Sequence, residues 1–192
     1  TSWYGGTDMT GTSTYMDYGI WVNGGSNISI GNGISAANMN VISGAGLRNI
    51  YFANATSPNV IKGNYIGTTK NLTQFVDASW SYDDTDYGIY INAATSSQVN
   101  IGGTSGNDHN IIAFHTNAGI YFSGAGTNNA QLVRNRIYSN PPGAASRSIV
   151  LNGANSNHAK PVITGHTTAT ISGTAVAFDQ VDVFKNTKFP GN

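Results

Sequence analysis

The strongest constraint on the fold of this chain is internal repetition. Residues 40–68 return in similar form as residues 110–139, and a shift of about 70 residues superimposes most of the two segments. The similarity extends outward, because the run Asp-Tyr-Gly-Ile that begins at Asp17 begins again at Asp86. Repetition of this kind is typical of solenoids, in which each repeat packs on the repeats before and after it.

Within the repeats, short apolar triplets recur at intervals of about 30 residues, with one longer interval. Two further short apolar groups lie between successive triplets, separated by Gly and Asn, and good helix formers are scarce. Three short strands per coil predict an all-β parallel β-helix of about five rungs over residues 1–154. The triplets are Ile20-Trp21-Val22, Ile50-Tyr51-Phe52, Ile89-Tyr90-Ile91, Ile120-Tyr121-Phe122 and Ile149-Val150-Leu151.

Asparagine is expected at the corners of such a coil. Asn and Gly tolerate left-handed backbone best, and stacked Asn side chains can hydrogen bond along the repeat axis. We therefore expect Asn64 and Asn135 to belong to an asparagine ladder, with a structural role and not a catalytic one.

The pattern changes after Ala154. Residues 155–192 begin with a polar linker and continue with alternating apolar and polar residues, as an antiparallel strand pair would. This part of the chain is too short to form a sandwich of its own, since sandwiches use about seven strands. We predict a linker followed by a short antiparallel β extension.

Composition excludes several kinds of partner. Charged residues make up 9% of the chain and the formal net charge is zero, so no net field attracts nucleic acid or anionic lipid. Cysteine is absent, which excludes disulfides and thiolate zinc sites and fits an exported protein. No apolar run approaches the roughly 18 residues that a membrane span requires. We expect no nucleic-acid partner, no membrane span and an extracellular or cell-surface location.

Several phrases of the sequence resemble a known family. NVISG, NVIKGNYIGT, VNIGGTSGNDHNII and DYGIYI are similar to the repeats of bacterial secreted right-handed parallel β-helix proteins, over residues 1–153. The tail phrase ATISGTA and the later VDVF resemble the start of the immunoglobulin-like modules that follow such helices in large surface polypeptides. The resemblance implies a right-handed coil. It leaves function open, because adhesins, surface filaments, lyases and hydrolases share this architecture.

No catalytic set stands out. Glycan cleavage would need paired carboxylates or a calcium cluster with a basic residue, and no two Asp residues fall side by side on predicted neighbouring rungs. The segment 69–85 interrupts the repeat and is predicted to be a projecting loop. Asp83, Asp84 and Asp86 form the densest acidic cluster and are a candidate for a calcium site, or simply a solvated turn. Apart from that calcium ion, we expect no cofactor.

Two other features are candidates for binding. Arg134 and Arg136 stand two residues apart and would share one face of a strand, where they could hold an anionic group or remain solvated. More distinctive is a column of outward aromatic residues, which the triplets place one above another and which ends at Val150. This column is a candidate glycan-binding strip, a protein interface or plain cross-rung stabilisation. Its members are Trp21, Tyr51, Tyr90 and Tyr121.

These features lead to one main expectation about function. The chain is predicted to be a structural or adhesive extracellular protein, a β-helix segment or subunit of a bacterial surface fibre or large adhesin. Its partners would be copies of itself, joined head to tail or through the C-terminal strands, and glycans. The alternatives are a polysaccharide-active lyase or hydrolase that uses the long loop, and a glycan-binding module.

Overall fold

The computed structural model describes residues 16–56, 58–73, 86–92, 98–126, 130–140, 147–154, 158–159 and 161–176. The chain divides into two compact units, Thr1–Asn157 and His158–Asn192. Apart from one short 3₁₀ helix, Ala36–Asn38, the regular structure of the described residues is strand.

The described strands of the first unit form four complete coils and the opening strand of a fifth. The first coil contains β1 (Tyr18–Asn23), β2 (Ile28–Ile30) and β3 (Asn40–Ile42), and the second contains β4 (Arg48–Ala53), β5 (Asn59–Ile61) and β6 (Asn64–Ile66). The third contains β7 (Tyr87–Asn92), β8 (Val99–Gly102) and β9 (Ile111–Ala113). The fourth contains β10 (Ala118–Ser123), β11 (Gln131–Val133) and β12 (Arg136–Tyr138), and β13 (Arg147–Asn152) follows.

Equivalent strands of successive coils pair in parallel and build three sheets. The first sheet has the order β1-β4-β7-β10-β13, the second β2-β5-β8-β11 and the third β3-β6-β9-β12. Together with an antiparallel C-terminal pair described below, this arrangement confirms the predicted all-β parallel β-helix. The strands are held by main-chain ladders between coils, so each coil depends on its neighbours.

The structure explains why the sequence repeats over two coils and not one. In the first and third coils, residues 31–39 and 103–110 join the second strand to the third. In the second and fourth coils, only residues 62–63 and 134–135 make the same connection. Long and short corners therefore alternate, and a segment superimposes best on the segment two coils later.

The core of the β-helix consists of inward aliphatic and Phe side chains from all three sheets. In the first sheet, the outer members of the apolar triplets point inward, as strand alternation predicts. Burying each side chain of this size contributes about 1.5–3 kcal/mol. The most deeply buried are Ile50, Phe52, Ile61, Ile66, Ile89, Ile91, Val99, Ile101, Ile112, Ile120 and Phe122. By contrast, Ile149 is 42% exposed, because β13 is the outermost described strand of its sheet.

A ladder of four asparagines follows the third sheet. Asn40 donates from Nδ2 to Asn64 Oδ1 at 2.9 Å, Asn64 donates to Asn110 Oδ1 at 2.9 Å, and Asn110 donates to Asn135 Oδ1 at 2.9 Å. The last three Nδ2 groups also donate to main-chain carbonyls of the second sheet. Asn64 and Asn135 thus lie in a ladder as predicted, with Asn110 between them.

A buried histidine joins three coils at another corner. The Asn140 Oδ1 accepts the main-chain N–H of His115 at 3.0 Å, and this contact fixes the amide orientation. The same oxygen lies 3.1 Å from the ring Nδ1, which must therefore carry a proton, while Nε2 accepts from Asn49 Nδ2 at 3.1 Å. Burial lowers the pKa of His115 to about 4, so the ring is neutral at physiological pH.

The second unit contains one described strand pair. β14 (Val162–His166) and β15 (Ile171–Thr174) pair in antiparallel fashion, with an irregularity between Ile163 and Gly165. The hairpin matches the predicted short C-terminal β extension. Large apolar side chains on it remain at least 50% exposed, namely Val162, Ile163 and Ile171.

Candidate binding face

The outward side of the first sheet carries the aromatic column. Strand register places Trp21 opposite Tyr51, Tyr51 opposite Tyr90 and Tyr90 opposite Tyr121, with Val150 next. The rings of Trp21 and Tyr51 stack with centroids 6.3 Å apart, and those of Tyr90 and Tyr121 stack at 4.9 Å. Tyr51 and Tyr90 meet edge to face at 5.6 Å. The four candidate residues are therefore brought together on one surface.

A second file of side chains lies beside this column and was not predicted. Tyr18 contacts Trp21 and Tyr51 with centroid distances of 5.5 and 5.1 Å. Tyr87 contacts Tyr90 at 5.0 Å and Tyr121 at 5.2 Å. Arg48 lies between Tyr18 and Tyr87 in strand register. We call these seven side chains the aromatic face: Tyr18, Trp21, Arg48, Tyr51, Tyr87, Tyr90 and Tyr121.

Strict strand alternation misplaces this second file. Residues two apart should share a face, so Tyr87 would be expected to point inward with Ile89. Instead Gly88 and Ile89 are both buried, which leaves Tyr87 and Tyr90 outside. A Cβ at Gly88 would lie 2.5 Å from the carbonyl oxygen of Gly119, so a larger residue does not fit. The repeated Tyr-Gly-Ile is the sequence feature from which the outward placement of this tyrosine could have been predicted.

Arg48 lies at the centre of the aromatic face. Its guanidinium carbon is 4.4 Å from the ring centroid of Tyr51 and 4.2 Å from that of Tyr90. Its Nη1 donates to the Tyr18 hydroxyl at 3.2 Å. Cation–π contacts of this kind contribute roughly 0.5–2 kcal/mol each, so the arginine links three coils.

The face also has hydroxyl and amide groups along one edge. Asn152 donates from Nδ2 to the Tyr121 hydroxyl at 2.8 Å, and Asn92 is 3.5 Å from the Tyr51 hydroxyl.

Burial, together with the nearby Tyr121, Tyr90 and Asp86, raises the pKa of Tyr87, while Arg48 opposes that rise. The Tyr87 phenol is therefore a neutral hydrogen-bonding group at neutral pH. Trp21 is the most open ring of the aromatic face, at 57% exposure.

The acidic candidates can be described only in part. Asp83 and Asp84 lie outside the described residues. Asp86 immediately precedes β7, and its Oδ1 accepts the Thr116 hydroxyl at 3.2 Å. Among the described residues, no group of three or more His, Cys, Asp or Glu side chains is arranged to hold a metal ion. The calcium site stays a prediction from the sequence.

The two neighbouring arginines do not share a strand. Arg134 has a φ of 54° and lies at the corner between β11 and β12, where its guanidinium donates to the Thr104 carbonyl at 2.5 Å. Arg136 begins β12 and is exposed. The predicted common face is therefore wrong, because left-handed backbone at Arg134 ends the strand.

Comparison of the chain with protein-family models, curated proteins and solved structures finds no match. Within the part of the chain that the structure describes, no helix has the length and apolar character needed to cross a membrane.

Proposed function

We propose that the chain is an extracellular structural or adhesive protein, a β-helix segment or subunit of a bacterial surface fibre or large adhesin. The aromatic face is its contact surface. The observation that carries the proposal is the set of seven side chains on one side of the first sheet, six of them aromatic, held in mutual contact by main-chain pairing. A continuous surface of rings with polar edges suits contact with glycans or with another protein.

Assembly into a fibre is supported by the arrangement of the sheets. Among the described strands, β1, β2 and β3 are outermost at one end of the three sheets, and β13, β11 and β12 are outermost at the other. Outermost strands present main-chain groups to a further strand. Head-to-tail contacts between copies, or pairing through the C-terminal strands, would continue the ladders and produce filaments.

The test replaces rings while leaving the inward core intact. The double variant Tyr90→Ser, Tyr121→Ser is compared with the original protein for glycan binding and for sedimentation over a hundredfold concentration range. We expect loss of glycan binding, of self-association or of both. A folded variant that behaves like the original protein in both assays would overturn the role of the aromatic face.

Glycan binding is the second candidate function that an observation favours. Trp21 is 57% exposed and presents the largest ring at one end of the column. Aromatic rings with nearby amides and hydroxyls match the flat faces and hydroxyl groups of sugars. Trp21→Ala should therefore weaken binding to any glycan that the face recognises.

A further inference from the structure

We infer that the aromatic face is a site for a carboxylated glycan, such as a uronate oligosaccharide, and that Arg48 is the residue that selects the carboxylate. The inference rests on the proposed role of the face as a contact surface and names its ligand class. Nothing in the repeat pattern pointed to Arg48, which stands where the neighbouring coils carry Tyr18 and Tyr87.

The first argument is charge. A guanidinium is ionised at every relevant pH, and no described carboxylate lies within ion-pairing distance of Arg48. Asp108 is paired with Lys62 at 3.1 Å, and Asp86 is hydrogen bonded to Thr116. Asp17 is exposed at the residue before β1. With a formal net charge of zero for the chain, this local cation is the feature that would favour an anionic partner.

The second argument is that neighbouring side chains already hold the Arg48 guanidinium in place. Arginine has five N–H donors, and in the described structure Nη1 bonds to Tyr18 while the buried Nε has no acceptor. Ring faces of Tyr51 and Tyr90 hold the group in place. Less side-chain entropy is therefore lost when the remaining Nη donors bind a ligand. Planar donors of this kind fit a carboxylate.

The third argument distinguishes a glycan from other anions. Arg48 covers Tyr51 and Tyr90, so the open ring for sugar stacking is Trp21, whose neighbour Tyr51 stacks almost parallel to it, at 12°. Asn92 and the Tyr51 hydroxyl lie along the edge and match sugar hydroxyls. One cation surrounded by rings and amides suits an alternation of carboxylate and hydroxyl groups better than a dense polyanion.

The experiment measures calorimetric binding of a glucuronate oligosaccharide and of its carboxyl-reduced, neutral counterpart to the full chain. The variants are Arg48→Gln, Arg48→Lys and Trp21→Ala. Arg136→Gln is the matched control, because it removes the same charge from an exposed position in the third sheet. Far-ultraviolet circular dichroism checks that each variant is folded.

We expect the acidic oligosaccharide to bind at least tenfold more tightly than the neutral one, and more weakly as salt is raised. Arg48→Gln should abolish that preference, Arg48→Lys should retain part of it, and Trp21→Ala should weaken both ligands. Arg136→Gln should bind like the original protein. Arg48→Lys keeps the test decisive if Arg48→Gln does not fold, because it keeps the charge and loses the planar fork.

Three results would overturn the inference. Equal binding of both oligosaccharides, together with weaker binding by Trp21→Ala, would show that the face binds glycans without recognising a carboxylate. Loss of self-association in Arg48→Gln without any glycan binding would assign the arginine to contact with a second copy. Failure of both oligosaccharides to bind, together with unchanged self-association in Tyr90→Ser, Tyr121→Ser, would reject the proposed function as well.

Discussion

His115 couples the stability of the β-helix to pH. Burial lowers its pKa from the ordinary value of 6.5 to about 4. Between these two pKa values the unfolded chain binds more protons at this residue than the folded chain. The contribution of the neutral ring to the free energy of unfolding is therefore fully present above the unfolded pKa. It is lost as pH falls toward the folded pKa, and the full loss amounts to about 3 kcal/mol.

Replacing this histidine should remove that part of the pH dependence. We expect the free energy of unfolding in urea to fall by about 3 kcal/mol more between pH 7 and pH 4 in the original protein than in His115→Gln. His109→Gln is the control, because that side chain lies at a more open turn, where Nδ1 contacts the Gly106 carbonyl. Parallel pH profiles for the original protein and His115→Gln would contradict the assignment.

The asparagine ladder makes a second prediction about single residues. Asn110→Ala removes an amide that donates to Ile61 and Asn135 and accepts from Asn64, all in a buried position. Leaving buried polar groups unpaired costs about 1–3 kcal/mol for each group, so we expect a loss of roughly 2–5 kcal/mol in denaturant unfolding. Asn40→Ala, at the exposed end of the ladder, should cost less than about 1 kcal/mol. A cost below about 1 kcal/mol at Asn110 as well would show that the ladder does not stabilise the fold.

Among the elements, β13 is where the aromatic column stops. Val150 follows Tyr121 in register and occupies the next outward position. Val150→Tyr should therefore add one ring to the column and stabilise the protein by about 0.5–1.5 kcal/mol through a further aromatic pair. Thermal unfolding measures the gain, with Val150→Thr as a β-branched control that has no ring. A destabilised Val150→Tyr variant would mean that the column cannot be extended on β13.

The first sheet also shows how far an element can be predicted from sequence. The recurrent triplets were sufficient to align Trp21, Tyr51, Tyr90 and Tyr121, because parallel strands in one register stack equivalent residues. They were not sufficient to place Tyr87 on the same face. Gly88 and Ile89 are buried in succession, with the next coil close to Gly88, and period-two alternation does not predict such a pair.

At the scale of the whole molecule, the two compact units make a prediction about truncation. The three parallel sheets are built from strands of the first unit, and β14 and β15 pair with each other. Removing residues 158–192 should then change the melting temperature by less than about 4 °C, which corresponds to about 1 kcal/mol for a chain of this size. Circular dichroism melting would detect the change. Loss of cooperative unfolding in the truncated chain would show that the second unit is needed for the β-helix.

The class of fold follows from local features of the sequence. Repeated apolar triplets, Gly and Asn corners and the scarcity of helix formers indicate a parallel β-helix with an outward aromatic column, because these patterns depend on local backbone preference and strand geometry. Which side chains from different coils meet depends on the three-dimensional packing of the coils. Arg48 reaches Tyr51 and Tyr90, and His115 reaches Asn49 and Asn140, across separations that no periodicity records. Such contacts depend on how each corner positions the next coil, so the aromatic column was predictable and the position of Arg48 beside it was not.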